Sequence, residues 1–306
     1  MGQTGAMDQP TSVLGGIHVP LVTPFADDGA VALDALRRLA HTVLDQGAAG
    51  IVALGTTAEA ATLDADERLA IIDLCAEVCR ERDAALTVGV GGNDTRGAVE
   101  GLSRLARWPR TAAALVPVPY YTRPGEAGVI AHFTRLEADS PVPLLVYHIP
   151  YRTSQPLRAA ALRTLGQLPG IVGVKYATGG VDQDAVELLG DLPTDFAVLA
   201  GDDIYLSPLL ALGGHGGILA SAHLATARFV ELARAWRDGD VVRARPLGHA
   251  LARLSAAAFA EPNPTVIKGV LREQGLIPTA KVRLPLLAAQ PDSVSEVLRR
   301  LADLGG

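Results

Sequence analysis

A lysine closes one of the short apolar runs of the sequence. Lys175 is the last residue of the run IVGVK at positions 171–175. In a β-strand, alternation places Ile171, Gly173 and Lys175 on the same face, and Gly173 leaves room beside the lysine stem. If that face is the interior of a barrel, burial disfavours the ammonium form, and the neutral amine attacks a ketone to form an imine. The alternative is a strand-end lysine that extends into solvent.

A tyrosine holds the equivalent position in the preceding apolar run. Tyr147 ends the run PLLVY at positions 143–147, and Leu145 lies on the same face. Neighbouring parallel strands are about 4.8 Å apart, so Tyr147 and Lys175 are expected to share one pocket. A phenol in that place is suited to transfer protons during imine formation. The alternative is a tyrosine that only packs at the rim.

Three further segments carry groups that suit a substrate with a carboxylate. Gly55, Thr56 and Thr57 follow a strand candidate and precede a helix. Such a glycine turn exposes backbone N–H groups to an anion, although ordinary turns share this composition. Arg152 follows the fifth strand candidate, where its guanidinium can clamp a carboxylate or remain solvated. Tyr121 belongs to a tyrosine pair on a loop, a feature more typical of packing or an interface than of catalysis.

Apolar runs that fit strands alternate with helical patterns along most of the chain. The predicted strands are 16–22, 50–54, 85–90, 112–116, 143–147, 171–175, 196–200 and 216–219. The predicted helices that follow them are 33–46, 64–82, 95–106, 125–138, 157–165, 182–189, 204–212 and 225–236. This alternation predicts a parallel sheet with helical crossovers, and eight such units match an α/β fold of the (β/α)8 TIM-barrel type. The rival is an open doubly wound sheet, but the glycine-rich turn at 89–92 is only a partial dinucleotide fingerprint.

The chain divides into three predicted regions. Residues 1–12 are expected to form a flexible N-terminal tail and residues 13–239 the catalytic barrel. Residues 240–306 change character and predict a C-terminal helical region, with helices at 241–260, 264–274 and 293–304.

The bulk composition narrows the classes of function. Hydrophobic residues make up 49% of the chain, which suits a large core. The net charge is −6 and no basic stripe is present, so a nucleic-acid partner is not expected. No apolar run has the length of a membrane span and no signal peptide is visible, so we expect a cytoplasmic protein. The helical spacing of Cys75 and Cys79 indicates buried or half-buried thiols, and the histidines lack metal-ligand spacing, so no metal is expected.

Several motifs in chain order together resemble one family. They are GTT at 55–57 with Glu59, PYY at 119–121 with RP at 123–124, Tyr147 with IP at 149–150, GVK at 173–175 with ATG at 177–179, GDD at 201–203, GGHG at 213–216, EPNP at 261–264 and LP at 284–285. From about residue 16 to residue 287 the chain resembles the dihydrodipicolinate synthase/N-acetylneuraminate lyase family of class I aldolases.

The resemblance implies catalytic roles for four residues. Lys175 would form the Schiff base with pyruvate, so that no separate cofactor is needed, and Tyr147 would be the acid/base that serves imine formation. Thr56 and Tyr121 would complete a proton relay with Tyr147. In this family the tyrosine matched by Tyr121 enters the site of a neighbouring subunit. A homo-oligomer, a tetramer or a dimer, is therefore implied.

The resemblance also implies substrate-binding positions. Thr57, together with Thr56 and the turn at Gly55, would hold the pyruvate carboxylate, and Ile218 matches a position in the pocket wall. Arg152 matches an arginine that receives the carboxylate of aspartate semialdehyde in the synthase branch. Arg152 and the double threonine therefore favour the synthase branch over the lyases.

The sequence departs from the family pattern at six positions, of which Tyr151 and Ser154 flank the loop that would hold the second substrate. The departures are Ala58, Ala60, His148, Tyr151, Ser154 and Tyr176. Positions that match the lysine feedback site keep Asn93 and Tyr120 but carry Ala60, Ala65, Arg68 and Gly97. We therefore expect lysine inhibition to be weak or absent.

Three functions follow from the sequence, in order of support. The first is a Schiff-base lyase or aldolase that condenses pyruvate with an aldehyde, with aspartate semialdehyde as the leading acceptor in lysine biosynthesis. The second is an aldolase, lyase or dehydratase that acts on a sugar-derived 2-keto acid. The third, of another class, is a non-catalytic barrel that binds keto acids.

Overall fold

Eight parallel strands form a closed barrel. The structure is a computed structural model that describes residues 14–305, so the predicted tail at 1–12 lies outside the described residues. The strands are β1 Gly16–Pro20, β2 Gly50–Ala53, β3 Ala85–Gly89, β4 Thr111–Pro117, β5 Leu144–His148, β6 Ile171–Tyr176, β7 Ala197–Ala200 and β8 Gly216–Ile218. Each strand pairs with the next one along the chain, and β8 pairs with β1. The predicted barrel is confirmed, and no strand end differs from its prediction by more than two residues.

Helices cover the outside of the barrel. They are α1 Leu33–Asp45, α2 Ala65–Arg82, α3 Thr95–Ser103, α4 Gly125–Asp139, α5 Pro150–Thr153, α6 Ala159–Gly166, α7 Gln183–Gly190, α8 Leu206–Ala211 and α9 Ala222–Arg237. The sequence predicted all of these except α5, whose single turn is too short to leave a periodic pattern. Asp64 begins α2 with a capping box, since its side chain accepts the Glu67 N–H and the Glu67 carboxylate accepts the Asp64 N–H.

Three further helices follow the barrel: α10 Val241–Ala258, α11 Thr265–Glu273 and α12 Pro291–Leu304. Their positions confirm the helices predicted at the C-terminus. Helix α10 packs on α8 and α9, and α12 packs on α10 and α11. None of the helices within residues 14–305 is long and apolar enough to cross a membrane.

The hydrophobic core has two layers. The larger layer lies between the strands and the surrounding helices, and includes Cys75 and Cys79 of α2, which are free thiols. Their predicted burial is confirmed, and burial raises the pKa of Cys79 to about 12. The smaller layer fills the barrel and includes Leu145, Leu199 and Ile218. This filling makes the barrel a packed core, so chemistry is confined to the ends of its strands.

Candidate active site

Lys175 and Tyr147 face each other at the ends of adjacent strands. Strand pairing sets Tyr147 of β5 beside Lys175 of β6, and Lys175 beside Leu199 of β7. Tyr147 and Leu199 both belong to the layer that fills the barrel, so the predicted inward orientation of Lys175 is confirmed. Lys175 is only 6% exposed. Its Nζ lies 4.3 Å from the centroid of the Tyr147 ring, a distance at which the ring face attracts a cation.

The glycine that leaves room for the lysine stem is not the one that the sequence indicated. A Cβ on Gly173 would lie 2.3 Å from the backbone oxygen of Ala197, so Gly173 permits the close approach of β6 and β7. A Cβ on Gly201 would lie 2.9 Å from Cγ and 3.1 Å from Cε of Lys175. Gly201, which follows β7, therefore provides the space that the stem of Lys175 occupies. The prediction for Gly173 was wrong because it considered only one strand.

The threonine turn after β2 is held from two sides. Thr56–Ala58 forms a short 3-10 turn. Thr57 is buried, and its Oγ1 accepts a hydrogen bond of 2.9 Å from Nδ2 of Asn263. The hydroxyl of Thr23 donates to the Ala58 carbonyl at 2.7 Å. The turn is thereby fixed to both the β1 loop and the C-terminal region.

A cavity of about 560 Å³ opens at the C-terminal ends of the strands. Its lining includes Gly55, Thr56, Tyr147 and Arg152, together with Leu54, Glu59, Ala60, Ala61, Thr62, Arg68, Gly89, Val90, Gly91, Leu115, Pro117, Tyr120, Ile149, Thr153, Asn263, Pro285 and Leu286. Lys175 is not among the lining residues, but its Nζ lies 4.3 Å from the centroid of the Tyr147 ring, which does line the cavity. Four of the eight predicted catalytic and substrate-binding residues thus line one cavity, at the end of the barrel where barrel enzymes carry their active sites.

The other four predicted site residues do not line this cavity. Lys175 lies against the Tyr147 ring, and Thr57 follows Thr56 in the turn after β2. Ile218, in β8, is 1% exposed and belongs to the layer inside the barrel. Tyr121 is 88% exposed and has left-handed backbone geometry, with φ at 70°. Within the single chain Tyr121 does not line the cavity, so the structure does not bring it to Lys175. Its neighbour Tyr120, 42% exposed, does line the cavity.

A buried ion pair lies beneath the threonine turn. Nζ of Lys268, in α11, is 2.8 Å from Oε1 of Glu59, and the two side chains are 0% and 1% exposed. The other Glu59 oxygen accepts the backbone N–H of Arg283 at 2.8 Å. Burial lowers the pKa of Lys268, and the carboxylate of Glu59 opposes that shift. Sequence reasoning quoted Glu59 as part of a motif but missed Lys268, which lies in an ordinary amphipathic pattern 209 positions away.

Polar groups also connect the loops that follow β5, β6 and β7. The hydroxyl of Tyr151 donates to Oδ1 of Asp202 at 3.0 Å, and the Gly179 N–H donates to the other oxygen of Asp202 at 2.7 Å. The next residue, Asp203, is buried and accepts the Ser221 N–H at 2.6 Å. Burial raises the pKa of Asp203 to about 6, although the Ser221 hydrogen bonds and the charge of Lys175 act in the opposite direction.

The two histidines near strand ends have structural surroundings. His148 is buried, and burial lowers its pKa to about 4 while its ring contacts the edge of Tyr176. Nδ1 of His215 accepts the Val198 N–H at 3.1 Å. Within residues 14–305 no group of His, Cys, Asp and Glu side chains is arranged to hold a metal ion.

A closed parallel barrel with a buried lysine and a tyrosine on adjacent strand ends is the architecture of a class I aldolase. In that class, the lysine amine reacts with a ketone. Residues 13–303 match the model of the dihydrodipicolinate synthetase family. The chain belongs to this family.

Known relatives extend over nearly the whole chain. The 4-hydroxy-tetrahydrodipicolinate synthase of Moorella thermoacetica is 38% identical over 291 residues, which cover 95% of this chain and 98% of the relative. The structure of dihydrodipicolinate synthase from Acinetobacter baumannii, complexed with pyruvate, superimposes with a TM-score of 0.89 at 33% identity, covering 95% and 99% of the two chains. The structure of the Aquifex aeolicus synthase gives a TM-score of 0.88 at 31% identity, covering 95% and 98%.

Proposed function

We propose that the protein condenses pyruvate with aspartate semialdehyde through a Schiff base on Lys175, as a 4-hydroxy-tetrahydrodipicolinate synthase in lysine biosynthesis. The observation that carries the proposal is the pairing of a 6% exposed lysine with Tyr147, 4.3 Å from Nζ to ring centroid, beside an open cavity. Membership of the family and the printed names of the relatives support the same activity.

The first half of the reaction forms an enamine. After losing a proton, the Lys175 amine attacks the C2 carbonyl of pyruvate, and the carbinolamine oxygen leaves as water once it has been protonated. Tyr147 is adjacent to Nζ and supplies the acid/base function for this step. Loss of a methyl proton from the imine then gives the enamine. We assign the proton relay to Tyr147, Thr56 and Tyr121, and the last of these requires a neighbouring subunit.

The second half forms the carbon–carbon bond. The enamine carbon attacks the aldehyde carbon and the aldehyde oxygen takes up a proton. The amino group of the aspartate semialdehyde unit then attacks the imine carbon and displaces the Lys175 amine, which closes the ring of the product. We assign Thr57 and the turn at Gly55 to the pyruvate carboxylate, Arg152 to the carboxylate of the aldehyde, and Ile218 to the wall of the pocket. Arg152 suits this role because it lines the cavity and its guanidinium matches a carboxylate with two hydrogen bonds.

The organisation of the protein follows from these roles. We propose that residues 13–239 are the catalytic barrel and that residues 240–306 form a helical region that supports it, because Lys268 and Asn263 contact the threonine turn segment. The exposed Tyr121 supports a homodimer or homotetramer in which this side chain enters the site of a second subunit. We propose a cytoplasmic location and no cofactor beyond the covalent imine.

The test is product analysis with a panel of acceptors. The protein is incubated with pyruvate and one acceptor at a time, either aspartate semialdehyde or an aldehyde derived from a sugar acid. The products of each reaction are identified by mass spectrometry. The proposal predicts turnover with aspartate semialdehyde and little with the sugar-derived aldehydes. The reverse preference would make the protein an aldolase of sugar-derived 2-keto acids, and no turnover with any acceptor would favour a keto-acid-binding barrel.

A further inference from the structure

The carboxylate of Asp202 connects three loops at the mouth of the barrel through two hydrogen bonds, which together form the loop tie. Tyr151 follows β5, Gly179 follows β6 and Asp202 follows β7. One oxygen of Asp202 accepts the Tyr151 hydroxyl at 3.0 Å and the other accepts the Gly179 N–H at 2.7 Å. Both oxygens of one carboxylate are therefore used to connect loops, and hydrogen bonds to a charged group are stronger than neutral ones.

The loop tie holds one end of the short helix that carries Arg152. Helix α5 has four residues, so its own backbone hydrogen bonds are too few to hold it in place. On one side, Nε of Arg123 donates to the Ser154 carbonyl at 3.1 Å. On the other side, Tyr151 is held by Asp202. The orientation of Arg152 therefore depends on contacts at both ends of the helix, made by loops that are distant in sequence.

The two halves of the proposed site are supported in different ways. Lys175 and Tyr147 lie on paired strands of the barrel, and strand pairing fixes their positions. Arg152 is exposed, lines the cavity and lies on a single helical turn outside the sheet. A change in the loop tie should consequently move Arg152 and leave the lysine–tyrosine pair where it is.

We propose that Tyr151 and Asp202 are positioning residues that hold Arg152 for the carboxylate of the aldehyde, and so set which acceptors the enzyme prefers. This inference rests on the function proposed above. It assigns the pair no contact with the reacting atoms. It extends that function because selectivity for the acceptor then depends on the bond between Tyr151 and Asp202 as well as on Arg152 itself.

The test removes one oxygen atom from the tie. Tyr151→Phe keeps the ring and deletes the hydroxyl, and we expect the KM for aspartate semialdehyde to rise about tenfold, the effect of one lost hydrogen bond to a charged group. The KM for pyruvate and the rate of borohydride trapping with pyruvate alone should stay within about twofold of the wild type. Asp202→Asn should give a similar rise, and the double variant should be no worse than the more affected single variant.

A neutral acceptor separates positioning of Arg152 from a general disturbance of the site. With butyraldehyde, which has no carboxylate, Tyr151→Phe should leave kcat/KM unchanged, because Arg152 then has nothing to bind. Tyr176→Phe is the matched control, since the Tyr176 hydroxyl donates to Asp182 at 2.6 Å and Tyr176 belongs to the layer outside the barrel. It should leave the ratio of the two acceptor KM values as in the wild type.

Two results would overturn the inference. One is an unchanged KM for aspartate semialdehyde in both Tyr151→Phe and Asp202→Asn; the other is an equal loss with the charged and the neutral acceptor. A wild-type protein that traps no pyruvate with borohydride would instead contradict the proposed function itself. The two failures are therefore distinguishable in one set of measurements, and thermal unfolding of each variant identifies any that lose the fold.

Discussion

The buried pair of Lys268 and Glu59 allows a quantitative prediction. Their side chains are 0% and 1% exposed, and Nζ is 2.8 Å from Oε1. Lys268→Met keeps the length of the side chain but leaves the Glu59 carboxylate without its cation in the core. Breaking one partner of a buried pair costs about 3–5 kcal/mol, because an uncompensated charge stays buried. We therefore expect Lys268→Met to lower the free energy of unfolding by about 4 kcal/mol.

A thermodynamic cycle separates this effect from lost packing. In the double variant Lys268→Met with Glu59→Gln, both charges are absent, and the loss should be smaller than that of Lys268→Met alone by roughly 2 kcal/mol. Lys281→Met is the control: Lys281 is 48% exposed and 3.9 Å from an exposed Asp27. An exposed pair of this kind contributes about 1 kcal/mol at most.

Urea unfolding of the wild type, Lys268→Met, Glu59→Gln, the double variant and the control Lys281→Met provides the free energies. A loss of less than about 1 kcal/mol in Lys268→Met, or additive losses across the cycle, would refute the reasoning that the pair is dry and mutually dependent. The KM for pyruvate should also rise in Lys268→Met, because Glu59 directly follows the 3-10 turn that carries Thr56 and Thr57.

Three further predictions follow from separate contacts. Gly201→Ala places a Cβ 2.9 Å from Cγ of Lys175, so it should cost about 1–3 kcal/mol of stability and slow borohydride trapping; an unaffected trapping rate would show that the stem has room to spare. His223 is neutral in the fold, because its Nε2 accepts the Val22 N–H at 3.2 Å and its Nδ1 bonds the Ala220 carbonyl at 2.9 Å. Burial lowers its pKa from 6.5 to about 4, so its contribution to stability is complete above pH 6.5 and is lost as pH falls through about 4. The difference in unfolding free energy between the wild type and His223→Gln should therefore shrink over that range, and a constant difference would contradict this assignment. Finally, inhibition by lysine, measured in the condensation assay, should be weak or absent, and half-maximal inhibition at sub-millimolar lysine would contradict the sequence comparison.

The sequence was sufficient to predict the barrel because buried parallel strands leave a strong pattern. Runs such as IVGV at 171–174 and PLLV at 143–146 are apolar throughout, as expected for strands covered on both faces. The regular return of such runs with helices between them leaves few topologies to consider. Helix α5 and the two short 3-10 turns before α2 were missed, whereas α2 begins at Ala65, one residue after its predicted start.

The positions of site residues were predictable where they follow from the alternation of side chains within a single strand. Alternation along β6 predicted one face for Ile171, Gly173 and Lys175. Lys175 does face inward, but the pairing of β5 and β6 is irregular before Gly173, and Ile171 lies in the outer layer of the core. The same rule correctly placed Tyr147 on the face of Leu145. Contacts between distant segments leave no local pattern: Asn263 reaches Thr57 across 206 positions and Lys268 reaches Glu59 across 209. The space provided by Gly201 was missed for the same reason, because the alternation of residues along β6 carries no information about the loop after β7.

The most direct test of the central claim is reductive trapping of the imine. The protein is incubated with pyruvate and sodium borohydride, digested, and mapped by mass spectrometry, with Lys175→Met as the control. The account predicts a stable pyruvate-derived adduct on the peptide that contains Lys175, and no adduct in the variant. An unmodified Lys175 peptide, or an adduct on another lysine such as Lys268 or Lys281, would contradict it.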